Sequence, residues 1–171
     1  MALFFVVLLG LISIITTLLM VLFAGKMIPY TDASGQVLPG SLAEKSWVTI
    51  NGVEMGMIIK SRDIKKPVLL FVHGGPGMPE YWLNASYPAH LDEVFTVVWW
   101  DQRGTGLSYN SKIPTDTMTT AQLVSDTLSV SRYLCQRFRQ DKIYLMGHSF
   151  GTYLGIQAAV QAPQLYHAYI G

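Results

Sequence analysis

Charged residues are scarce in this chain. Asp, Glu, Lys and Arg make up only 13% of the 171 residues, and the formal net charge is +1. A nearly neutral chain gives no electrostatic reason to expect a polyanion as partner. We therefore predict no nucleic-acid partner.

Cysteine is almost absent as well. Cys135 is the only cysteine in the sequence, so the chain cannot form an internal disulfide. It falls on a predicted helix, where we interpret it as a small buried thiol. The sequence also has no cluster of His, Cys and carboxylate residues at metal-ligand spacing, so we predict neither a metal nor an organic cofactor.

The N-terminal segment lacks charge entirely. No charged residue occurs from Ala2 to Ala24, a length sufficient to cross a bilayer as a helix. A cleavable signal peptide needs a basic start and a shorter apolar run, and a buried soluble helix needs a polar face. We therefore predict a single-pass transmembrane anchor over residues 1–26 and a membrane localisation, with the side of the following domain left open.

The remaining chain alternates strand and helix patterns. We predict a linker over 27–45 and one domain over 46–171. Asn51-Gly52 favours a tight turn between strands at Trp47–Ile50 and Val53–Lys60. Short apolar runs predict buried strands, and helical spacing predicts the helices between them. The strands are expected at Val68–Val72, Val94–Trp100, Ile143–Met146 and Tyr166–Ile170, and the helices after Thr120 and at Phe150–Ala162.

This alternation predicts an α/β fold, with a mostly parallel sheet and flanking helices. The last predicted strand reaches the end of the sequence at Gly171 without a covering helix. We therefore expect the domain to be incomplete at its C-terminus, with a complementing C-terminal fragment as a candidate partner.

The G-x-S-x-G motif from Gly147 to Gly151 lies between a predicted strand and a predicted helix. That position is typical of a nucleophile elbow, in which Ser149 stands at the tip of a strained turn. Gly147 and Gly151 allow the strand and the helix to approach closely, and the N–H of Phe150 is a candidate oxyanion donor. The alternative is a serine that only caps the helix.

A second motif, H-G-G-P-G, runs from His73 to Gly77 where another strand ends. Its glycines expose backbone N–H groups, so Gly74 or Gly75 is a candidate for the second oxyanion donor. We interpret His73 as a residue that orders this loop rather than as the general base. A cis Gly75–Pro76 bond is compatible with the sequence, and an ordinary tight turn is the alternative for the whole motif.

The third motif, D-Q-R-G-T-G-L-S, starts at Asp101 after the strand that ends at Trp100. Ligands gather at this edge of open α/β sheets. We favour a structural role, in which Asp101 pairs with Arg103 and fixes the loop, over direct catalysis.

Together the three motifs resemble the α/β-hydrolase superfamily, and within it the proline iminopeptidase-like serine hydrolases. The resemblance covers residues 47–171 and implies Ser149 as nucleophile, with Gly74, Gly75 and Phe150 around the oxyanion. It implies a small-molecule or peptide substrate, either an N-terminal proline peptide or an ester. Epoxide hydrolases and dehalogenases share this fold but carry Asp at the position of Ser149, so they fit less well.

One part of that resemblance is missing. The triad order of this superfamily is Ser, then Asp or Glu, then His, yet no Asp or Glu follows Ser149 and the only later histidine is His167. Neither His90 nor His148 lies where the family keeps its base. We therefore expect the chain to be a nearly inactive portion of a membrane-anchored serine hydrolase. A membrane-anchored, non-catalytic binding module is the alternative.

Overall fold

The structure is a computed structural model that describes residues 2–23, 25 and 27–171. Within the first helix, side chains are described for residues 5 and 8–18 only. The helices and strands have the following bounds, in chain order: α1 Ala2–Phe23, β1 Leu42–Ile50, β2 Val53–Ser61, β3 Val68–Val72, α2 Tyr81–Ser86, β4 Thr96–Trp100, α3 Thr120–Phe138, β5 Ile143–Gly147, α4 Phe150–Gln161 and β6 Tyr166–Ile170.

The six strands form one sheet in the order β1-β2-β4-β3-β5-β6. The β1–β2 and β2–β4 pairs are antiparallel, and the pairs among β4, β3, β5 and β6 are parallel. This confirms the prediction of an α/β fold with a mostly parallel sheet. Crossover connections in parallel sheets are usually helices, which explains why α3 and α4 separate the last strands along the chain.

The main core lies between the sheet and α3 and α4. Leu70, Val98 and Leu145 point from three adjacent strands into this layer, where they meet Leu134 of α3 and Leu154 of α4. All five side chains are buried. Continuous apolar strands are expected in a parallel sheet because both of its faces must be covered.

The β1–β2 hairpin turns at Asn51-Gly52, as predicted. Both residues have positive φ, 47° and 77°, as a type I′ turn requires. The first strand starts earlier than the sequence suggested, because Leu42 already pairs with Ser61. The predicted linker therefore overlaps β1 at residues 42–45, a stretch of mixed polarity in which apolar periodicity is weak.

Two other observed boundaries differ from the predicted ones. The strand predicted from Val94 begins only at Thr96, and Val94 is 60% exposed after a short 3₁₀ turn. The helix predicted after Thr120 includes Thr120 itself, and Thr119 caps it, because the Thr119 side chain accepts a hydrogen bond from the backbone N–H of Gln122.

The predicted membrane anchor receives no support from the fold. In the described part of the chain, the structure contains no helix with the length and apolarity needed to cross a membrane. Residues 1, 24 and 26 of the predicted anchor lie outside the described residues.

Candidate active site

The three sequence motifs meet at one edge of the sheet. Val72, the last residue of β3, pairs with Trp100 at the end of β4 and with Gly147 at the end of β5. Because these strands are parallel and in register, their carboxyl ends lie side by side. The loops that start at His73, Asp101 and His148 are neighbours for this reason.

Ser149 lies at a strained turn between β5 and α4. Its φ and ψ are 52° and −120°, a combination that L-residues rarely adopt. The residue is exposed, and its side chain makes no capping hydrogen bond to α4. These features fit a nucleophile elbow better than a helix-capping serine.

Two glycines make this turn sterically feasible. A β-carbon on Gly147 would stand 2.5 Å from the carbonyl oxygen of Gly151. A β-carbon on Gly151 would stand 2.0 Å from the carbonyl oxygen of Val72. Both atoms belong to the backbone and cannot rotate away, so α4 packs against the ends of β3 and β5 only because these positions lack side chains.

The H-G-G-P-G loop lies against the elbow. The position of a Gly74 β-carbon is 2.9 Å from the β-carbon of Ser149, which brings the predicted oxyanion loop and the predicted nucleophile together. Gly75 has a φ of 115°, and the Gly75–Pro76 peptide bond is cis.

The two candidate loop donors differ in availability. The N–H of Gly74 already donates to a carboxylate oxygen of Glu80, at 3.0 Å. By contrast, neither the N–H of Gly75 nor that of Phe150 forms a hydrogen bond with any described residue. The geometry therefore favours Gly75 over Gly74 as the partner of Phe150 in an oxyanion hole.

His73 is buried and holds two loops together. Its Nε2 accepts a hydrogen bond from the N–H of Gln102 at 3.0 Å, and its Nδ1 lies 2.9 Å from the carbonyl oxygen of Gly74. Since the Gln102 N–H can only donate, His73 is neutral with the proton on Nδ1. Burial lowers the pKa of His73, which agrees with the loop-ordering role expected from the sequence.

Asp101 and Arg103 both serve the loop but do not pair with each other, contrary to prediction. Asp101 is buried, and its carboxylate accepts a hydrogen bond from the N–H of Leu107 at 2.7 Å. Burial raises the pKa of Asp101. Ser108 donates to the Asp101 carbonyl and accepts from the N–H of Gly56 at 2.8 Å, which joins the loop to β2.

Arg103 pairs with Asp126 of α3 instead. Its Nε and Nη2 donate to the two carboxylate oxygens at 2.8 Å and 2.9 Å, and both side chains are almost fully buried. Asn51 donates to the same carboxylate at 2.7 Å. The sequence offered no pattern that links these three distant positions.

No histidine or carboxylate within the described residues forms a hydrogen bond with the Ser149 hydroxyl. His148 points to Glu80, with Nδ1 and Oε1 2.8 Å apart. His90 is exposed beside Glu93, and the exposed His167 packs its ring against Tyr144. In the same described residues, no group of three metal-ligating side chains could hold a metal ion.

Glu80 is a site residue that sequence analysis missed. It lies outside all three motifs, just before the short helix α2. Its side chain is only 11% exposed and contacts both the glycine loop and the elbow. An isolated Glu in a loop gives no signal in one sequence, since its role depends on tertiary packing.

Known proteins resemble this chain in sequence. Residues 67–170 match the model of the alpha/beta hydrolase fold family. The chain is 40% identical to a probable aminopeptidase, YbaC, of Bacillus subtilis over 77% of its length, and 30% identical to a proline iminopeptidase of Thermoplasma volcanium over 71%. It spans about two fifths of these curated relatives, 41% and 39%.

Solved structures are similar as well. A proline iminopeptidase-related protein from Thermus thermophilus superposes with a TM-score of 0.63 at 27% identity, over 75% of this chain and 43% of that one. An epoxide hydrolase from Vigna radiata superposes with a TM-score of 0.61 at 25% identity, over 74% and 38%. The shared architecture therefore includes enzymes with different activities, so the fold alone does not define the reaction.

Proposed function

Because this chain belongs to the α/β-hydrolase family, we propose that it provides the nucleophile and the oxyanion site of a serine hydrolase. Ser149 attacks the substrate carbonyl, and the N–H groups of Gly75 and Phe150 stabilise the negative charge that develops on its oxygen. One observation carries this proposal. Ser149 is strained and exposed, its side chain does not cap α4, and the N–H groups of Gly75 and Phe150 have no acceptor among the described residues.

The proposed substrate is a peptide with N-terminal proline, and the runner-up is a small ester. Support for the peptide comes from the relatives named aminopeptidase and proline iminopeptidase. The chemistry fits, since acyl transfer to water needs only a nucleophile, an oxyanion site and a proton carrier. The serine at position 149 separates this reaction from those of related enzymes that use Asp there.

The proton carrier is the incomplete part of the site. The Ser149 hydroxyl has no base among the described residues, and an unactivated serine is a poor nucleophile at neutral pH. Loss of triad members costs on the order of 10⁴ to 10⁶ in turnover. We therefore propose that the 171-residue chain alone reacts slowly, and that a protein with a later acid and histidine reacts fast.

A fluorophosphonate probe tests the proposal. We expect a protein that also carries a later acid and histidine to be labelled at Ser149, and Ser149→Ala to abolish labelling. Release of p-nitroaniline from proline p-nitroanilide, compared with hydrolysis of p-nitrophenyl acetate, then separates peptidase from esterase. Absence of labelling, or labelling that survives Ser149→Ala, would overturn the proposal and favour the non-catalytic binding module.

Attachment to a membrane stays a prediction from sequence. Its test is extraction with alkaline carbonate, which leaves a spanning protein in the membrane pellet and releases a peripheral one.

A further inference from the structure

Glu80 contacts both halves of the proposed site through one oxygen atom. Its Oε1 accepts the N–H of Gly74 at 3.0 Å and lies 2.8 Å from Nδ1 of His148. Gly74 immediately precedes the donor Gly75, and His148 immediately precedes the nucleophile. A single carboxylate oxygen therefore connects the glycine loop to the elbow.

The position of Glu80 makes this connection specific. Its side chain does not cap its own helix α2 and is largely buried, at 11% exposed, against the site. Its Oε1 lies 3.1 Å from the position of a Gly74 β-carbon, and the Ser149 β-carbon lies 2.9 Å from the same point. The carboxylate and the nucleophile thus both lie against Gly74, and the carboxylate forms no hydrogen bond with the Ser149 hydroxyl.

We infer that Glu80 is a positioning residue that sets the spacing between the two oxyanion donors, Gly75 and Phe150. This inference rests on the proposed function. The loop carrying Gly75 is otherwise held to the loop after β4 through His73 and Gln102. Among the described residues, the side chain of Glu80 links that loop to the elbow that carries Phe150.

The chemistry explains why a carboxylate suits this position. An ionised carboxylate is an acceptor with several lone pairs, so one oxygen can take two donors at once. Hydrogen bonds to a charged acceptor are stronger than neutral ones, which stiffens the arrangement. Oxyanion donors act through preorganisation, and a displacement of about 1 Å can reduce the rate about 100-fold.

The first test measures amide hydrogen exchange in the 171-residue chain. In Glu80→Ala we expect exchange in segments 73–78 and 147–152 to accelerate together by about tenfold or more, while β3 and the rest of α4, residues 153–161, keep their protection. Glu80→Gln retains an acceptor oxygen and should restore most of the protection. Unchanged exchange in both segments of Glu80→Ala, or a general acceleration across the domain, would overturn the inference.

The second test measures labelling by a fluorophosphonate in a protein that also carries a later acid and histidine. Glu80→Ala should slow the covalent step by about 10- to 100-fold, with little change in reversible probe binding. Glu80→Gln should recover most of the rate. An equal loss of binding and covalent rate, or an Ala variant that labels at the wild-type rate, would contradict a positioning role.

Glu93→Ala is the matched control for both tests. Glu93 also lies beside a histidine, His90, but both side chains are more than half exposed and their closest atoms are 3.6 Å apart. Neither exchange nor labelling should change in this variant. If exchange responds to Glu80→Ala but the protein with a later acid and histidine never reacts at Ser149, the loop contact stands while the proposed hydrolase function fails.

Discussion

The carbonyl oxygen of Val72 occupies the space that a side chain on Gly151 would need. A β-carbon at position 151 would lie 2.0 Å from that oxygen, far inside contact distance. Because the obstacle is backbone in a central strand, Gly151→Ala must displace α4. We expect a loss of about 3 kcal/mol in the free energy of unfolding, the upper end for overpacking, measured by urea denaturation.

Gly52→Ala is the control for this substitution. Gly52 has a positive φ of 77° but nothing lies within 4 Å of its missing β-carbon. Its cost should be limited to the left-handed backbone penalty of about 1–2 kcal/mol. Equal losses in the two variants would show that the elbow is less tightly packed than the structure indicates.

The strain at Ser149 predicts a difference in stability between two variants that lack the nucleophile. Both Ser149→Gly and Ser149→Ala remove the hydroxyl, but only Gly adopts a φ of 52° and a ψ of −120° without a steric penalty. We expect the Gly variant to be more stable than the Ala variant by about 1 kcal/mol. Thermal unfolding of the two proteins measures the difference, and an Ala variant of equal or greater stability would argue against backbone strain.

The Arg103–Asp126 pair should be important for stability. Both side chains are nearly inaccessible, and Asp126→Ala would leave a buried guanidinium without its partner. The expected loss in the free energy of unfolding is about 3–5 kcal/mol. If this variant does not fold, Asp126→Asn provides a milder change for the same urea measurement.

Glu44→Ala is the comparison for that pair. Glu44 forms an ion pair with Arg137 whose side chains are 33% and 26% exposed. Solvent screening limits its expected contribution to about 0–1 kcal/mol. A larger loss for Glu44→Ala than for Asp126→Ala would show that the Glu44–Arg137 pair, and not the Arg103–Asp126 pair, contributes more to stability.

His73 predicts a loss of stability in mild acid. Burial lowers its pKa in the folded state, so the unfolded chain binds the proton first as the pH falls. Its contribution is complete above the ordinary histidine pKa of about 6.5 and decreases as the pH falls towards the folded-state pKa.

The measurement is the pH dependence of urea unfolding between about pH 7.5 and 5, in wild type and His73→Gln. We expect a smaller decrease in the variant. Asp101, whose pKa is raised by burial, contributes with the opposite sign in both proteins and cancels in the comparison. Identical slopes would contradict the neutral, doubly hydrogen-bonded state of His73.

Local sequence signals were sufficient for two of the parallel strands. Val68–Val72 and Tyr166–Ile170 have the predicted bounds because short apolar runs between polar turns have few alternatives. The position of Ser149 followed from the same logic, since the motif lies between a clear strand and a clear helix.

Long-range pairing could not be predicted. The sequence suggested that Arg103 would pair with its neighbour Asp101, whereas the partner is Asp126 on α3. Similarly, nothing near Glu80 indicates its contact with His148. Such contacts depend on how the sheet brings separate loops together, which a single sequence does not encode at short range.

The pairing of Val72 with both Trp100 and Gly147 has a consequence for how this fold can vary in length. An inserted or deleted residue within β3 would invert the faces of the strand and shift its final carbonyl away from the two adjacent loops. Extra residues at the opposite ends of the strands, such as the turn before Val68, would leave that junction intact. Length variation in descendants of this chain should therefore accumulate at the amino ends of the parallel strands.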